Sequence, residues 1–120
     1  MRKILIVEDN ILVAYLLEEY LNEAGCFDIV GSVINGSDAI AISKVYKPDL
    51  ILMDVRIEGD KDGIDTANEI NMSNRIPIIY ITGNSDNKTT ERAKNTNMLG
   101  FLAKPVIREE LINLIYDKLD

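Results

Sequence analysis

The sequence contains no histidine among its 120 residues. Without an imidazole, the chain cannot carry a Ser-His-Asp or Cys-His catalytic set, a histidine-ligated zinc or haem site, or a histidine general base. Its single cysteine, Cys26, cannot form an internal disulfide or a thiolate cage for a metal, which favours a reducing compartment. Any chemistry must therefore use carboxylates, hydroxyls, lysines and the backbone.

Basic residues and long apolar runs are also scarce. Lys and Arg number 13 against 20 Asp and Glu, which gives a net charge of −7. Because binding to phosphate backbones needs a basic surface, we expect no direct contact with nucleic acid. The longest apolar run, residues 11–17, is far shorter than the roughly 18 residues that span a bilayer, and the first apolar run, residues 4–7, is too short for the core of a signal peptide. We therefore expect a cytoplasmic protein that does not insert into a membrane.

Apolar residues alternate along the chain between short continuous runs and helical spacing. The first run, residues 3–7, is followed by apolar residues at helical spacing over 10–24, and such pairs recur along the whole sequence. The predicted strands cover residues 3–7, 28–34, 49–55, 77–82 and 100–103. Four of the predicted helices cover residues 10–24, 64–72, 86–95 and 108–119. The remaining one, second in chain order, is capped by Ser37 and closed by Pro48.

This alternation predicts an α/β fold. Strands that are apolar on both faces and alternate with helices form a parallel sheet that is covered on both sides. Right-handed crossovers then give a doubly wound (βα)5 three-layer sandwich with a parallel five-stranded sheet. We expect one domain over residues 1–120, with no output domain in this chain.

Polar residues mark the ends of the predicted strands. Glu8 and Asp9 follow the first, Asp54 and Thr82 lie at the ends of the third and fourth, and Lys104 follows the fifth. In open α/β sheets, sites form outside the carboxyl ends of the strands, so these side chains should converge. Three carboxylates without nitrogen or sulfur ligands suit a hard cation, and so few protein ligands favour Mg²⁺ over Ca²⁺. The set indicates metal-assisted phosphoryl transfer, in which an aspartate can be the nucleophile.

Four sequence blocks together resemble the receiver domain of response regulators in two-component signalling. The blocks are ILIVED, LILMDV, PIIYITG and GFLAKP. The resemblance covers the whole chain and implies the flavodoxin-like strand order 2-1-3-4-5. It further implies that Asp54 accepts a phosphoryl group from a sensor histidine kinase or a histidine phosphotransfer protein. Such a domain is a signalling domain that catalyses only its own phosphorylation and its own slow dephosphorylation.

The same resemblance assigns the metal ligands and the output. Mg²⁺, with Mn²⁺ as a substitute, would bind Asp9, Asp54 and the backbone carbonyl of Arg56, with Glu8 acting through a water. Phosphorylation would change the surface formed by the fourth helix, the fifth strand and the fifth helix. That surface would contact an unknown downstream protein and could serve in dimerisation.

The resemblance also assigns a switch. Thr82 and Lys104 would contact the phosphoryl group, and Thr82 with the aromatic Phe101 would change position on phosphorylation. The peptide bond before Pro105 is expected to be cis. Arg56 would additionally lie beside the attacking water and tune the lifetime of the phosphate.

Several positions depart from the family's usual pattern. Glu8 replaces the commoner aspartate, and Phe101 lacks the hydroxyl of a tyrosine. The loop after the acceptor, residues 56–64, is one residue longer than its commonest form and lacks the usual proline. Asn84, two residues after Thr82, is a second candidate for tuning the phosphate lifetime.

Two other functions remain open at this point. A receiver fold can act as an interaction module without phosphorylation, and the same acids could serve a Mg²⁺-dependent phosphohydrolase. Acids from Glu58 onward also follow the spacing of an EF-hand calcium loop, with Gly63 at position 6. Two features argue against a calcium loop: Asp65 stands where that motif needs an apolar residue, and a predicted strand, not a helix, precedes the segment. We interpret this segment as a solvated loop in which Gly63 allows the turn into the next helix.

Two further interpretations concern side chains outside the predicted site. Cys26 is expected to be a small buried hydrophobe. Three basic residues of the predicted fourth helix are expected to form its solvated face: Lys88, Arg92 and Lys94.

Overall fold

A computed structural model describes residues 1–83 and 86–119 of the chain. Within these residues it contains five strands and five helices in strict alternation. The strands are β1 (Arg2–Val7), β2 (Phe27–Val33), β3 (Leu50–Asp54), β4 (Ile78–Thr82) and β5 (Met98–Ala103). The helices are α1 (Ile11–Ala24), α2 (Gly36–Tyr46), α3 (Gly63–Ser73), α4 (Asn87–Lys94) and α5 (Arg108–Leu119).

The strands form one parallel sheet in the order β2-β1-β3-β4-β5, which confirms the predicted topology. Side chains on its two faces enter two separate cores, as the alternation along β1 shows. Leu5 and Val7 belong to the core beneath α2, α3 and α4, whereas Ile4 and Ile6 belong to the core beneath α1 and α5. The sheet is therefore the middle layer of a doubly wound sandwich.

Asparagine side chains begin the first two helices. Asn10 caps α1, because its side-chain oxygen accepts hydrogen bonds from the amides of Leu12 and Val13 at 3.0 and 3.2 Å. Asn35 caps α2 in the same way, so the predicted capping role of Ser37 is wrong. Asparagine and serine are comparably good caps, and the one in extended backbone conformation just before the helix takes the role.

The start of α3 lies directly against the end of β3. Asp62 caps α3 and forms a reciprocal capping box with Asp65. A Cβ atom on Gly63 would overlap the backbone carbonyl of Asp54. We predicted that Gly63 serves the turn into the helix, but a close approach of two backbones explains the glycine.

The structure corrects two further predictions. Met98 already pairs with Ile78, so β5 begins two residues earlier than the predicted position 100, and its register with β4 shifts by one residue after this pair. Cys26 precedes the edge strand β2 and is only half-buried, with its Sγ 3.2 Å from the hydroxyl of Tyr116. In the part of the chain that the structure describes, no helix has the length and apolar character to cross a membrane.

Arg92 does not lie on a purely solvated helix face, contrary to our prediction. Its guanidinium forms ion pairs with Asp62 at 2.9 Å and with Asp65 at 3.0 Å, which join α4 to the first turn of α3. Lys88 is exposed as predicted, and Lys94 is exposed beside Glu91 of the same helix. The sequence spacing within α4 could not reveal a partner that lies 30 residues away.

Candidate functional site

Three carboxylates meet at the carboxyl edge of the sheet. Glu8 and Asp9 follow β1 and Asp54 ends β3, and these two strands are neighbours in the sheet. One oxygen from each of the three lies within 4.8 Å of the others. Glu8 and Asp54 are only 2% and 4% exposed, whereas Asp9 is exposed to solvent. The cluster is thus a pair of buried acids with a third acid at its opening.

Lys104 lies between the two buried acids. Its Nζ donates a hydrogen bond to Oδ2 of Asp54 at 3.0 Å and lies 3.1 Å from Oε1 of Glu8. The backbone amide of Lys104 donates to the carbonyl of Thr82 at 2.9 Å, and the peptide bond between Lys104 and Pro105 is cis. The end of β4 therefore fixes the backbone from which the lysine reaches Asp54.

The loop after β3 supplies a second donor to Asp54. The backbone amide of Arg56 donates to Oδ1 of Asp54 at 3.1 Å, while the Arg56 side chain is exposed. The amide of Gly63 donates to the carbonyl of Val55 at 2.7 Å and closes the loop where α3 begins. Each Asp54 oxygen thus has one donor, and the orientation of the carboxylate is set from two directions.

Burial is the main influence on Glu8. Desolvation raises the pKa of its carboxyl to about 7, against the opposing effect of the Asn10 amide, which donates to Oε2 at 3.0 Å. The neighbouring Asp54 raises this pKa further and Lys104 lowers it. Although Nζ of Lys104 is close, Oε1 of Glu8 accepts no hydrogen bond within the described part of the chain. This buried carboxylate oxygen is therefore paired with Lys104 by charge and not by a hydrogen bond.

For Lys104, in contrast to Glu8, burial does not decide the direction of the pKa shift. Desolvation alone would lower the pKa of its ammonium group, but the hydrogen bond to Asp54 and the negative charges of Asp54 and Glu8 outweigh it and raise the pKa. The lysine consequently remains charged at neutral pH and compensates part of the negative charge of the site.

The donor set fits a hard divalent cation. Glu8, Asp9 and Asp54 could hold it through carboxylate oxygens alone, which are the ligands that Mg²⁺ and Mn²⁺ favour. Oε1 of Glu8 forms no hydrogen bond among the described residues, which leaves it able to accept one from a metal-bound water. The residues present are therefore compatible with the metal that the family resemblance implied.

A cleft of about 500 Å³ opens above these groups. Its lining residues are Asp9, Asn10, Asp54, Arg56, Thr82, Gly83 and Lys104. Thr82, at the end of β4, is buried at the base of this region with 6% exposure. From the sequence we identified Asn10 only as part of the first helix, although its place directly after two acids could have indicated a lining residue. The cleft brings together groups from four strand ends.

An aromatic pair lies below the cleft, between β4 and β5. Phe101 is half-buried and its ring centroid lies 5.4 Å from that of Tyr80, at an angle of 30°. The Tyr80 hydroxyl forms a 2.8 Å hydrogen bond with Thr96, two residues beyond the end of α4. Tyr80 could not be singled out from the sequence, because its apolar neighbours made it resemble any other core residue. Asn84, the other predicted tuning position, lies outside the described residues.

The EF-hand-like segment is a connection between β3 and α3. Asp62 and Asp65 are engaged by the capping box and by Arg92, and Glu69 pairs with Lys61. A calcium loop needs a helix on both sides, and here a strand precedes the segment. These acids are used to begin and position α3.

Comparison with known proteins identifies the family. A family model described as the response regulator receiver domain matches residues 4–116. The chain belongs to this family. Receiver domains are signalling domains, and they interact with kinases or phosphotransfer proteins.

Two curated relatives place this receiver domain among response regulators. The transcriptional regulatory protein PdtaR of Mycobacterium tuberculosis is 38% identical over 114 residues, covering 95% of this chain and 55% of PdtaR. The response regulator protein VraR of Staphylococcus aureus is 28% identical over 114 residues, covering 94% of this chain and 54% of VraR. The chain thus spans about half the length of these relatives.

Solved structures agree in fold over nearly the whole receiver domain. The signal receiver domain of a modulated diguanylate cyclase from Desulfovibrio desulfuricans G20 superposes with a TM-score of 0.91 at 36% identity, covering 99% of this chain and 94% of the other. The N-terminal domain of a response regulator/sensory box/GGDEF 3-domain protein from Carboxydothermus hydrogenoformans gives a TM-score of 0.82 at 29% identity, covering 98% and 94%.

Proposed function

We propose that this receiver domain is a signalling switch in which Asp54 accepts a phosphoryl group from a phosphohistidine. The donor is a sensor histidine kinase or a histidine phosphotransfer protein. The observation that carries the proposal is the convergence of Lys104 and two further carboxylates, Glu8 and Asp9, on a single buried aspartate. The absence of histidine from the chain agrees with a reaction whose histidine belongs to the partner.

The transfer needs an oxygen of Asp54 as nucleophile. That oxygen attacks phosphorus, a P–O bond forms, the P–N bond of the phosphohistidine breaks, and the electron pair leaves with the imidazole of the partner. The Arg56 amide holds one Asp54 oxygen, and Lys104 offers positive charge to the incoming phosphoryl oxygens. A bound Mg²⁺ or Mn²⁺ would neutralise charge between the acceptor and the phosphoryl group.

The residues that would hold this cation are those the family resemblance implies. Asp9, Asp54 and the backbone carbonyl of Arg56 are the proposed direct ligands, and Glu8 acts through a water. The clustering of the three carboxylates supports this assignment.

The output follows from the added charge. A phosphoryl group brings about −1.5 to −2 charges, and we expect Thr82 and Lys104 to move toward it. Phe101, packed beside Tyr80, would then change its position, and the surface formed by α4, β5 and α5 would change with it. This surface is the proposed contact for a downstream protein and for dimerisation.

The signal ends by hydrolysis. Water attacks the phosphorus, the P–O bond to Asp54 breaks, and the carboxylate and inorganic phosphate are released. Arg56, an exposed residue that lines the cleft, is proposed to tune the rate of this step by controlling access of the water. Asn84 is proposed for the same role on the basis of its sequence position.

Residues 1–120 are proposed to act as one receiver domain whose partners are proteins. The acidic charge supports this choice over nucleic acid, and residues 4–116 are matched by one family model. A cytoplasmic location, where histidine kinases present their phosphohistidine, is part of the same proposal.

The proposal is tested by incubating the chain with Mg²⁺ and acetyl phosphate and measuring its intact mass. We expect a mass gain of one phosphoryl group, which Asp54→Ala abolishes. Asp60→Ala is the matched control, because Asp60 is an exposed acid of the loop that follows Asp54. A chain that neither gains mass nor consumes acetyl phosphate would instead be an interaction module, and turnover of acetyl phosphate without an adduct would indicate a hydrolase.

A further inference from the structure

Helix α4 has little apolar contact with the rest of the protein. Of its eight residues, all of which the structure describes, Ala93 alone is buried. Thr89 and Thr90 are half-buried and the others are exposed. Because burial of apolar surface stabilises most helices in proteins, polar contacts must hold this one in place.

The strongest of these polar contacts comes from Arg92. Its two terminal nitrogens donate to the two oxygens of Asp62 at 2.9 and 3.1 Å, and one of them also donates to Asp65 at 3.0 Å. A forked contact of this kind fixes both the distance and the orientation of two elements. We call the set of Arg92, Asp62 and Asp65 the α3–α4 clasp.

The electrostatics agree with a formed clasp. Partial burial would raise the pKa of the Asp62 carboxyl, but hydrogen bonds from Arg92 and from the Asp65 amide outweigh it and lower the pKa. The same contacts raise the pKa of Arg92. The Asp62 carboxylate and the Arg92 guanidinium are therefore both charged at neutral pH.

The clasp reaches the element that carries the proposed phospho-acceptor. Asp62 caps α3, and Gly63, the first residue of α3, lies against the backbone carbonyl of Asp54. The amide of Gly63 is also bonded to the carbonyl of Val55. A force on the start of α3 thus acts directly on the end of β3.

The N-terminal end of α4 is close to Thr82 in the sequence. Asp86, which caps α4, follows Thr82 by four residues. Because three residues separate Thr82 from Asp86 in the sequence, we expect a shift of Thr82 toward a phosphoryl group to draw with it the start of a helix that apolar contacts hold weakly. The clasp opposes that movement, because it fixes α4 to α3.

We infer that the α3–α4 clasp is an autoinhibitory contact that restrains α4 in the unphosphorylated conformation. Releasing the clasp frees α4. By linkage it also favours phosphorylation of Asp54, since an ion pair that stabilises only the unphosphorylated conformation opposes the change to the phosphorylated one. This second consequence rests on the proposed function, whereas the restraint on α4 does not.

The expected size of the effect follows from exposure. The Arg92 side chain is 45% exposed and its partners Asp62 and Asp65 are 32% and 51% exposed. Partly exposed ion pairs of this type change an equilibrium by about two- to fivefold. The clasp therefore biases α4 and does not lock it.

The restraint is tested by amide hydrogen exchange of residues 87–94 in the unphosphorylated chain. We expect Arg92→Gln to speed this exchange about two- to fivefold relative to the wild-type chain. Asp62→Asn combined with Asp65→Asn should do the same, because asparagine retains the oxygens that cap α3 while losing the charge. Lys94→Gln, which removes a positive charge from the same helix without touching the clasp, should leave exchange unchanged.

The coupling is tested by the rate of adduct formation with acetyl phosphate and Mg²⁺ in the same variants. We expect a similar rise in Arg92→Gln and in the double aspartate variant, with no further rise when all three substitutions are combined. The proposed restraint would be overturned if exchange were unchanged in Arg92→Gln or if Lys94→Gln had an equal effect. It would also be overturned if the effects of the Arg92 substitution and the double aspartate substitution were additive. Faster exchange with an unchanged phosphorylation rate would overturn its autoinhibitory role. A wild-type chain that forms no adduct would contradict the proposed function, and the exchange experiment would still decide the restraint.

Discussion

The ammonium nitrogen of Lys104 lies 3.0 Å from Oδ2 of Asp54, across 50 residues of sequence. The same nitrogen lies 3.1 Å from Glu8, so one lysine serves two buried carboxylates. Each carboxylate would be costly to bury alone. The charge balance of the metal-free site therefore depends on Lys104, and so do several measurable properties of the chain.

Replacing Lys104 by methionine should destabilise the metal-free protein. The substitution keeps the apolar stem but leaves the carboxylates of Asp54 and Glu8 without a cation. We expect the free energy of unfolding at pH 8 to fall by about 1–3 kcal/mol. Urea unfolding in the presence of EDTA measures this change. Lys94→Met, at an exposed position, should shift it by less than about 0.5 kcal/mol, and equal effects of the two variants would contradict the role of Lys104.

Glu8 should make the metal-free protein less stable as the pH rises. Its folded-state pKa of about 7 exceeds the ordinary value of 4.5, so the folded chain retains a proton that the unfolded chain releases. Between these two pH values folding takes up a proton, and the contribution of Glu8 to stability falls by about 1–3 kcal/mol. Glu8→Gln lacks this group, so unfolding midpoints of the two proteins in EDTA should diverge from pH 5 to pH 8. Parallel pH profiles would show that the carboxyl titrates normally.

Mg²⁺ should stabilise the chain through Asp9. At about ten times its dissociation constant, a ligand that binds only the folded state adds about 1.4 kcal/mol to the free energy of unfolding. We expect Asp9→Asn to lose most of this gain. Because the substitution removes one of three clustered negative charges at an exposed position, the metal-free variant should be at least as stable to urea as the wild type. Asp60→Asn should keep the gain, because Asp60 lies outside the cluster. Loss of the response in Asp60→Asn would instead locate the cation in the loop after β3.

Gly63→Ala should disturb both stability and phosphorylation. The added Cβ would overlap the carbonyl of Asp54, so the start of α3 must move away from β3. We expect a loss of about 1–3 kcal/mol in the free energy of unfolding and slower adduct formation at Asp54. Gly83→Ala is the control for stability, because none of the described residues beyond its chain neighbours lies within 4 Å of its added Cβ. A Gly63→Ala protein as stable as the wild type would show that the two backbones separate easily.

The fold could be predicted from the sequence because each strand carries its own signal. Residues 50–53 are continuously apolar and fully buried, as expected for a central parallel strand. Once the fold was predicted, the convergence of Glu8, Asp54 and Lys104 could be predicted as well, because the carboxyl ends of parallel strands share one edge of the sheet. Local pattern and topology were enough to bring these residues together.

Contacts between distant residues could not be predicted in this way. The sequence around Arg92 is typical of a solvated helix, and its partner Asp62 belongs to a different element. The choice between Asn35 and Ser37 as a cap depends on backbone conformation, which composition does not determine. The need for glycine at position 63 arises from a neighbouring backbone carbonyl, and a glycine in a sequence gives no hint of what approaches it.

The loop between β3 and α3 is attached to the fold at several points and open at its tip. Gly63 is bonded to Val55, and the amide of Glu58 donates to the carbonyl of Ile34 at 3.3 Å, whereas Gly59 and Asp60 are exposed. Extra residues at the tip therefore need not displace either attachment. For protein engineering, this makes the peptide bond after Gly59 the preferred place to insert a tag or reporter that sits near the acceptor without altering its geometry.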